Sequence, residues 1–127
     1  MPYTDMKDNT EAGRRYREAH KEKVWAAGTL YDHKKKGIVV DITTKELEAI
    51  ALHVKHCEYC GIEIVYRNSG GQCEQSATLD RVDNERVIRA DNIKIVCNSC
   101  NSSKRTRSFR EFVLYCKMIA DKFYTEV

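Results

Sequence analysis

Two stretches decide the fold of this chain: CEYC at residues 57–60 and CNSC at residues 97–100. Each offers two thiols separated by two residues, and 36 residues lie between the two pairs. Two such pairs can bring four sulfurs to one tetrahedral metal ion, which is the arrangement of structural zinc sites. We therefore expect Cys57, Cys60, Cys97 and Cys100 to hold one zinc ion, with a redox dithiol or unligated thiols as the alternatives.

The length and composition limit which folds and cellular locations are possible. A chain of 127 residues that is 42% apolar suggests one compact domain with a modest core. No apolar run approaches the roughly 18 residues of a membrane span, so we expect no membrane partner. The first ten residues lack the basic start and apolar centre of a secretory signal, which favours a cytoplasmic protein whose thiols stay reduced.

The N-terminal part of the chain is basic. Between residues 14 and 36 there are eight Lys and Arg residues against three acids, although the whole chain carries only +3. The pattern predicts one helix over residues 10–36 that Gly37 terminates. Its basic face is either simply solvated or lies along nucleic-acid phosphates. We expect residues 1–40 to form a DNA-contacting helical arm before a domain of residues 41–127, with contacts from Arg14, Arg15, Lys34, Lys35 and Lys36.

Local patterns predict the remaining elements. A capping box at Thr43–Glu46 should open a short helix before the first cysteine pair, and a second box at Ser108–Glu111 should open the last helix. Alternation or β-branched content predicts strands over residues 62–66, 78–82 and 93–96, a loop over 67–76, and a short helix within 97–107. The last helix carries an apolar stripe that we expect to face the core, consisting of Phe109, Phe112, Val113, Cys116, Ile119, Ala120 and Phe123. Cys73 receives no predicted role.

The segment between and after the cysteine pairs carries a specific motif. It reads LDRVDN at residues 79–84, then Asn92, then CNSCNSSK at 97–104, and the first pair is followed by Gly61. This combination resembles the HNH (ββα-metal) endonucleases with a four-cysteine zinc site, in particular small phage-type members. The resemblance covers about half of the chain. It implies an α+β fold with a zinc-stapled ββα-metal core, flanking helices and DNA as the substrate.

The resemblance also assigns roles to individual residues. Asp80 and Asn101 match the ligands of the catalytic metal, Mg²⁺ or Mn²⁺, and hard cations prefer such oxygen donors. Taken alone, Asp80 reads as a turn-capping carboxylate and Asn101 as a helix N-cap. Asn92 matches the residue that holds the loop between the strands, as an Asx-turn would. The cations Lys104, Arg105 and Arg107 are expected to contact phosphates near the cleaved bond.

One position departs from the family pattern. Arg81 stands where the family usually has its histidine general base, and a guanidinium cannot accept a proton in water. Arg81 can instead hold the scissile phosphate. Some members with Asp-Arg at this place take their base, in certain cases a tyrosine, from elsewhere. We favour His53, just before the first cysteine pair; the other candidates are Tyr31, His33, His56 and Tyr59.

These features predict a metal-dependent endonuclease that hydrolyses DNA phosphodiester bonds, encoded by a phage or a bacterium. The alternative is a catalytically silent zinc-containing DNA-binding module, which would share the zinc and the basic surface. The sequence leaves open the target site, nicking against double-strand cleavage, the biological role, and whether the protein is a monomer or a homodimer.

Overall fold

The structure, a computed structural model, describes residues 10–66, 73–84 and 86–127. Most of the loop predicted over residues 67–76 lies outside these ranges. Within them the chain forms five α-helices and one antiparallel hairpin. In chain order the elements are α1 (Glu11–Ala19), α2 (Lys21–Lys35), α3 (Thr44–Ala51), β1 (Ala77–Arg81), β2 (Ile93–Cys97), α4 (Asn98–Lys104) and α5 (Phe109–Phe123).

The predicted single N-terminal helix is in fact two helices. The chain breaks at His20, whose φ of −129° and ψ of 45° are not helical. The His20 ring stacks on that of Tyr16 at 4.1 Å, and its Nδ1 lies 2.8 Å from the Tyr16 carbonyl oxygen. The predicted stop at Gly37 is confirmed. Gly37 has a φ of +84°, and the amides of Gly37 and Ile38 bond back to the last turn of α2, the bond pattern of a Schellman motif.

Helix α2 packs into the same core as residues 41–127. Trp25, Ala26 and Leu30 are buried. The Trp25 indole donates to the Ala77 carbonyl at 3.0 Å, and its ring meets that of Tyr66 edge-on at 5.1 Å. These contacts join the basic N-terminal segment to strand β1, while its predicted DNA contacts Arg14, Arg15, Lys34, Lys35 and Lys36 are all exposed.

Both capping boxes are confirmed. The Thr43 hydroxyl accepts from the Glu46 amide at 3.1 Å, and the Glu46 carboxylate accepts from the Thr43 amide at 3.0 Å. Ser108 and Glu111 form the same reciprocal pair at the start of α5. Each box satisfies amides that have no partner inside the helix, so these helix starts are defined locally.

The hairpin matches two of the three predicted strands. β1 and β2 pair in a register that places Asp80 opposite Lys94 and Leu79 opposite Ile95. The strand predicted over residues 62–66 is wrong: this segment makes only isolated bridges, from Glu63 to His56 and from Val65 to Ser76. Two strands followed directly by α4 give the ββα arrangement.

The last helix departs most from the prediction. None of its residues is buried, and of the predicted stripe only Phe112 is half-buried. Phe109, Val113, Ile119 and Phe123 are 39–45% exposed. The rings of Phe109 and Phe112 lie 5.1 and 6.3 Å from that of Tyr59, so only the first turn of α5 packs on the body of the protein. The expectation that this stripe, including Cys116, forms core is therefore wrong.

Candidate metal centres and active site

The two cysteine pairs meet in one cluster. The sulfurs of Cys57, Cys60, Cys97 and Cys100 all lie within 4.8 Å of one another. The first pair lies in a tight turn after α3, and the second joins the end of β2 to the start of α4. Four mutually close thiols from two separate turns form the donor set of a structural zinc site.

Backbone amides surround the Cys57 sulfur. It accepts from the amides of Tyr59 and Cys60 at 3.4 Å each, and from that of Cys97 at 3.2 Å. Burial acts to raise the pKa of Cys57, but these donors outweigh it and lower that pKa to about 7. Amides directed at sulfur favour the thiolate, the form that binds zinc, so the residues fit this metal.

Cys97 and Cys100 depend more strongly on a metal. Burial raises the pKa of both thiols; the Cys60 and Cys97 thiols raise the pKa of Cys100 further, whereas hydrogen bonds with Cys100 oppose the rise at Cys97. A cluster of four thiolates without a cation would carry concentrated negative charge. The expected zinc ion compensates that charge, and the cluster thereby joins the segment after α3 to the β2–α4 junction.

The predicted metal ligand Asp80 lies at the centre of a buried polar group. It is 6% exposed, near the end of β1. The Tyr59 hydroxyl donates to its Oδ2 at 2.6 Å. The Lys104 ammonium lies 3.3 Å from Oδ1 and 3.1 Å from Oδ2, and also donates to the Arg81 carbonyl at 3.1 Å.

Lys104 therefore differs from its prediction. It is fully buried, so it is not placed to contact a phosphate from the surface. Lys104 follows Cys100 by four residues on α4, and residues at that spacing share one face of a helix. Since Cys100 is part of the four-cysteine cluster, this spacing indicates in the sequence that Lys104 lies on the inward face of α4.

Tyr59 is the candidate base that the structure brings to Asp80. Burial raises the pKa of Tyr59 above its usual range, and the hydrogen bond to the Asp80 carboxylate raises it further. A phenol that donates to a carboxylate is protonated, so Tyr59 here orients Asp80. His53 and His56 are exposed, and no contact described in the structure joins either of them to Asp80.

Asn92 holds the loop between the two strands. Its side chain accepts from the Asp83 amide at 2.9 Å and donates to the carbonyls of Asp83 and Val87 at 3.1 Å each. Asn92 is only 2% exposed. The Arg81 guanidinium donates to the carbonyls of Asn84 at 2.7 Å and Arg86 at 3.2 Å, so it contacts the same loop.

Asn101 lies half-buried on α4, three residues before Lys104. Its carbonyl accepts the Arg105 amide at 3.2 Å, and no side-chain contact to Asp80 is among those described. A carboxylate has about four acceptor positions, and hydrogen bonds from Tyr59 and Lys104 use two of those on Asp80. Acceptor positions therefore remain on Asp80 for a cation, and the Asn101 carboxamide has a hard oxygen donor as well, so the chemistry of these two side chains suits Mg²⁺ or Mn²⁺.

The other predicted DNA contacts on the C-terminal side are at or near the surface. Arg105 is exposed, with a positive φ of 56° just after α4. Arg107 is half-buried: its guanidinium lies 4.3 Å from the centre of the Tyr115 ring and donates to the Ser103 carbonyl at 3.4 Å.

No helix in the described ranges is long and apolar enough to cross a membrane.

Comparison with known proteins gives one informative match. No protein-family model matches the chain, and no curated protein matches it. The structure is similar to that of the rare-cutting HNH restriction endonuclease PacI, with a TM-score of 0.59 over 83% of this chain and 80% of that one. The two are 21% identical, so the likeness concerns the fold. The chain thus has an HNH-like α+β fold, a ββα unit joined to a four-cysteine cluster and flanked by helices.

Proposed function

We propose that this protein is a metal-dependent HNH endonuclease that hydrolyses DNA phosphodiester bonds. The observation that carries the proposal is the buried Asp80 carboxylate, oriented by Tyr59 at 2.6 Å and Lys104 at 3.1 Å beside a four-cysteine cluster. A carboxylate positioned from two sides and next to a rigid metal-binding scaffold is suited to present its oxygen to a cation.

Asp80 and Asn101 would hold the catalytic Mg²⁺ or Mn²⁺. Such a cation, when bound, lowers the pKa of a water ligand and stabilises negative charge on the phosphate. The protein's own contribution is to orient the ligands. Tyr59 and Lys104 limit the rotation of the Asp80 carboxylate, and the four-cysteine cluster fixes the start of α4, on which Asn101 lies.

Arg81 is proposed to hold the scissile phosphate. A guanidinium has five N–H donors, and the two loop carbonyls of Asn84 and Arg86 use only part of them. The remaining donors match phosphate oxygens in charge and geometry. Asn92 supports this role indirectly, because it fixes the loop that Arg81 contacts.

The general base is still assigned to His53 as a prediction. Tyr59 contacts Asp80, but its raised pKa keeps the phenol protonated, which opposes a base role in this state. His53 is exposed just after α3, where water can reach its ring. The exposed cations at Arg14, Arg15, Lys34–Lys36, Arg105 and the half-buried Arg107 would contact DNA phosphates.

A second candidate is the catalytically silent zinc-containing DNA-binding module. The Lys104–Asp80 ion pair favours it, because an ammonium already neutralises the carboxylate that a catalytic metal requires. Both candidates share the DNA partner and the zinc. They differ in whether DNA is cut.

Cleavage of supercoiled plasmid DNA in Mg²⁺ or Mn²⁺ distinguishes the two. We expect the wild type to convert the plasmid to nicked or linear forms, and Asp80→Asn to lose this activity while binding the same DNA with similar affinity. Asp121→Asn is the matched control, since it makes the same chemical change on exposed α5. A wild type that binds but never cuts supports the silent module, and an Asp80→Asn variant that cuts normally removes Asp80 from the active site.

A further inference from the structure

The Lys104–Asp80 pair is a buried ion pair in which the ammonium makes two hydrogen bonds and has a third oxygen neighbour. Lys104 has no exposed surface and Asp80 is 6% exposed. The ammonium can donate three hydrogen bonds, and its three neighbouring acceptors are Asp80 Oδ1, Asp80 Oδ2 and the Arg81 carbonyl. Lys104 thus contacts both oxygens of the carboxylate assigned to the catalytic metal.

A buried lysine is costly in free energy unless its charge is compensated. Here a carboxylate compensates it, and in the absence of a divalent cation Lys104 does the same for Asp80. A cation that approaches this carboxylate meets the positive charge of Lys104 in a buried environment, where Coulomb repulsion is weakly screened. The two positive groups therefore oppose each other at one ligand.

We propose that Lys104 is a positioning residue that occupies Asp80 in the metal-free protein and competes there with the catalytic divalent cation. The proposal rests on the proposed function, because it takes Asp80 as a metal ligand. The Arg81 carbonyl gives the ammonium another acceptor, so Lys104 keeps a partner when Asp80 is shared with a cation. Lys104 thereby maintains the fold of the empty site and lowers its affinity for metal.

The test measures Mn²⁺ binding to the zinc-loaded protein in the absence of DNA. Electron paramagnetic resonance reports the free Mn²⁺, and calorimetry gives an independent Kd. Lys104→Met removes the competing charge and keeps most of the apolar side chain. We expect it to lower the Kd for Mn²⁺ at least tenfold. Lys94→Met is the matched control: it removes the same charge from an exposed lysine opposite Asp80 in the hairpin, and we expect a change below about twofold.

Thermal unfolding gives a second readout. In buffer without Mn²⁺ or Mg²⁺, Lys104→Met leaves the buried Asp80 charge uncompensated, and we expect its Tm to fall by about 10 °C or more. Mn²⁺ should restore much of that loss. Adding Asp80→Asn to Lys104→Met should restore stability without Mn²⁺ and abolish the Mn²⁺ response. If Lys104→Met does not fold, Lys104→Gln retains a hydrogen-bond donor without the charge and replaces it in both measurements.

The outcomes separate this proposal from the proposed function. If wild type and Lys104→Met bind Mn²⁺ equally, and Asp80→Asn loses that binding, then Lys104 does not compete and the Asp80 metal site stands. If no variant shows Mn²⁺ binding that depends on Asp80, both proposals fail. Tighter Mn²⁺ binding in Lys104→Met alone, lost again with Asp80→Asn, supports the competition.

Discussion

Tyr59 shows how one residue connects the two proposed metal sites. It lies inside the first cysteine pair, and its hydroxyl reaches Asp80 at 2.6 Å. Its amide also donates to the Cys57 sulfur at 3.4 Å. The turn that carries the first cysteine pair thus also orients the carboxylate assigned to catalysis, so the geometry of the proposed active site depends on the four-cysteine cluster.

The first prediction distinguishes a residue that orients Asp80 from the residue that accepts a proton from the attacking water. Tyr59→Phe removes the hydrogen bond to Asp80, and we expect DNA cleavage in single-turnover assays to slow by about 10–100-fold, as when an outer partner of a metal ligand is lost.

The same assay tests the predicted base. His53→Ala should slow DNA cleavage by roughly 100-fold or more if His53 is the base. Full activity of His53→Ala would show that the base prediction is wrong. If His53→Ala is fully active and His56→Ala is inactive but folded, the base is His56, the second exposed histidine before the first cysteine pair.

At the level of elements, the junction of β2 and α4 depends on the four-cysteine cluster. Cys97 is the last residue of β2 and also the N-cap of α4, and its sulfur accepts the Cys100 amide at 3.3 Å. A helix of seven residues is too short to be stable by itself. Its position, and hence that of Asn101, therefore depends on the expected zinc.

The second prediction concerns loss of that metal. Elemental analysis should find about one zinc per chain. Cys97→Ser should unfold the domain at 37 °C, since structural zinc supplies on the order of 10 kcal/mol of folding free energy. Cys116→Ser makes the same change on exposed α5 and should leave the Tm within a few degrees. Circular dichroism melts check both, and a zinc-free wild type with an unchanged melt would contradict the assignment.

Beyond its first turn, helix α5 presents an apolar face that the described residues do not bury. Because Ile119 on this face is 44% exposed, we expect Ile119→Ala to change the free energy of unfolding by no more than about 1 kcal/mol. Leu47→Ala, at a fully buried position of α3, should cost about 2–5 kcal/mol. Urea unfolding monitored by fluorescence checks the pair. A loss above about 2 kcal/mol for Ile119→Ala would show that another molecule covers this face in solution.

For the whole molecule, the distribution of charge matters more than its sum. The net charge is +3, yet short runs of exposed cations occur on α1, at the end of α2 and after α4. Trp25 joins α2 to β1 through the Ala77 carbonyl, so the lysines at the end of α2 belong to a helix that packs on the core. DNA bound along it would therefore be held at a defined position relative to Asp80.

The last prediction tests that surface. Reversing the charge of Lys34, Lys35 and Lys36 to Glu should weaken DNA binding and reduce the slope of log K against log salt by up to about 2.7, or 0.9 for each lost phosphate contact. The matched control reverses three exposed lysines outside the predicted contacts: Lys45, Lys55 and Lys122. Fluorescence anisotropy across a salt series measures both. Equal effects of the two variants would show that only net charge matters.

The sequence by itself determined the features that depend on neighbours along the chain. Both capping boxes, the stop at Gly37 and the two strands of the hairpin rest on contacts within a few residues or on short periodic patterns, and the structure confirms them. The spacing of the cysteine pairs predicted their cluster because the geometry of a tetrahedral metal restricts how four thiols can meet.

Only the tertiary structure decided which side chains are buried. The periodic stripe on α5 predicted core, yet nothing in the described chain packs on most of it. Lys104 read as a surface cation, yet it lies fully buried against Asp80, 24 residues earlier in the chain. Burial depends on which distant segments pack together, and the periodicity of a helix shows that a face is apolar or charged without showing what covers it.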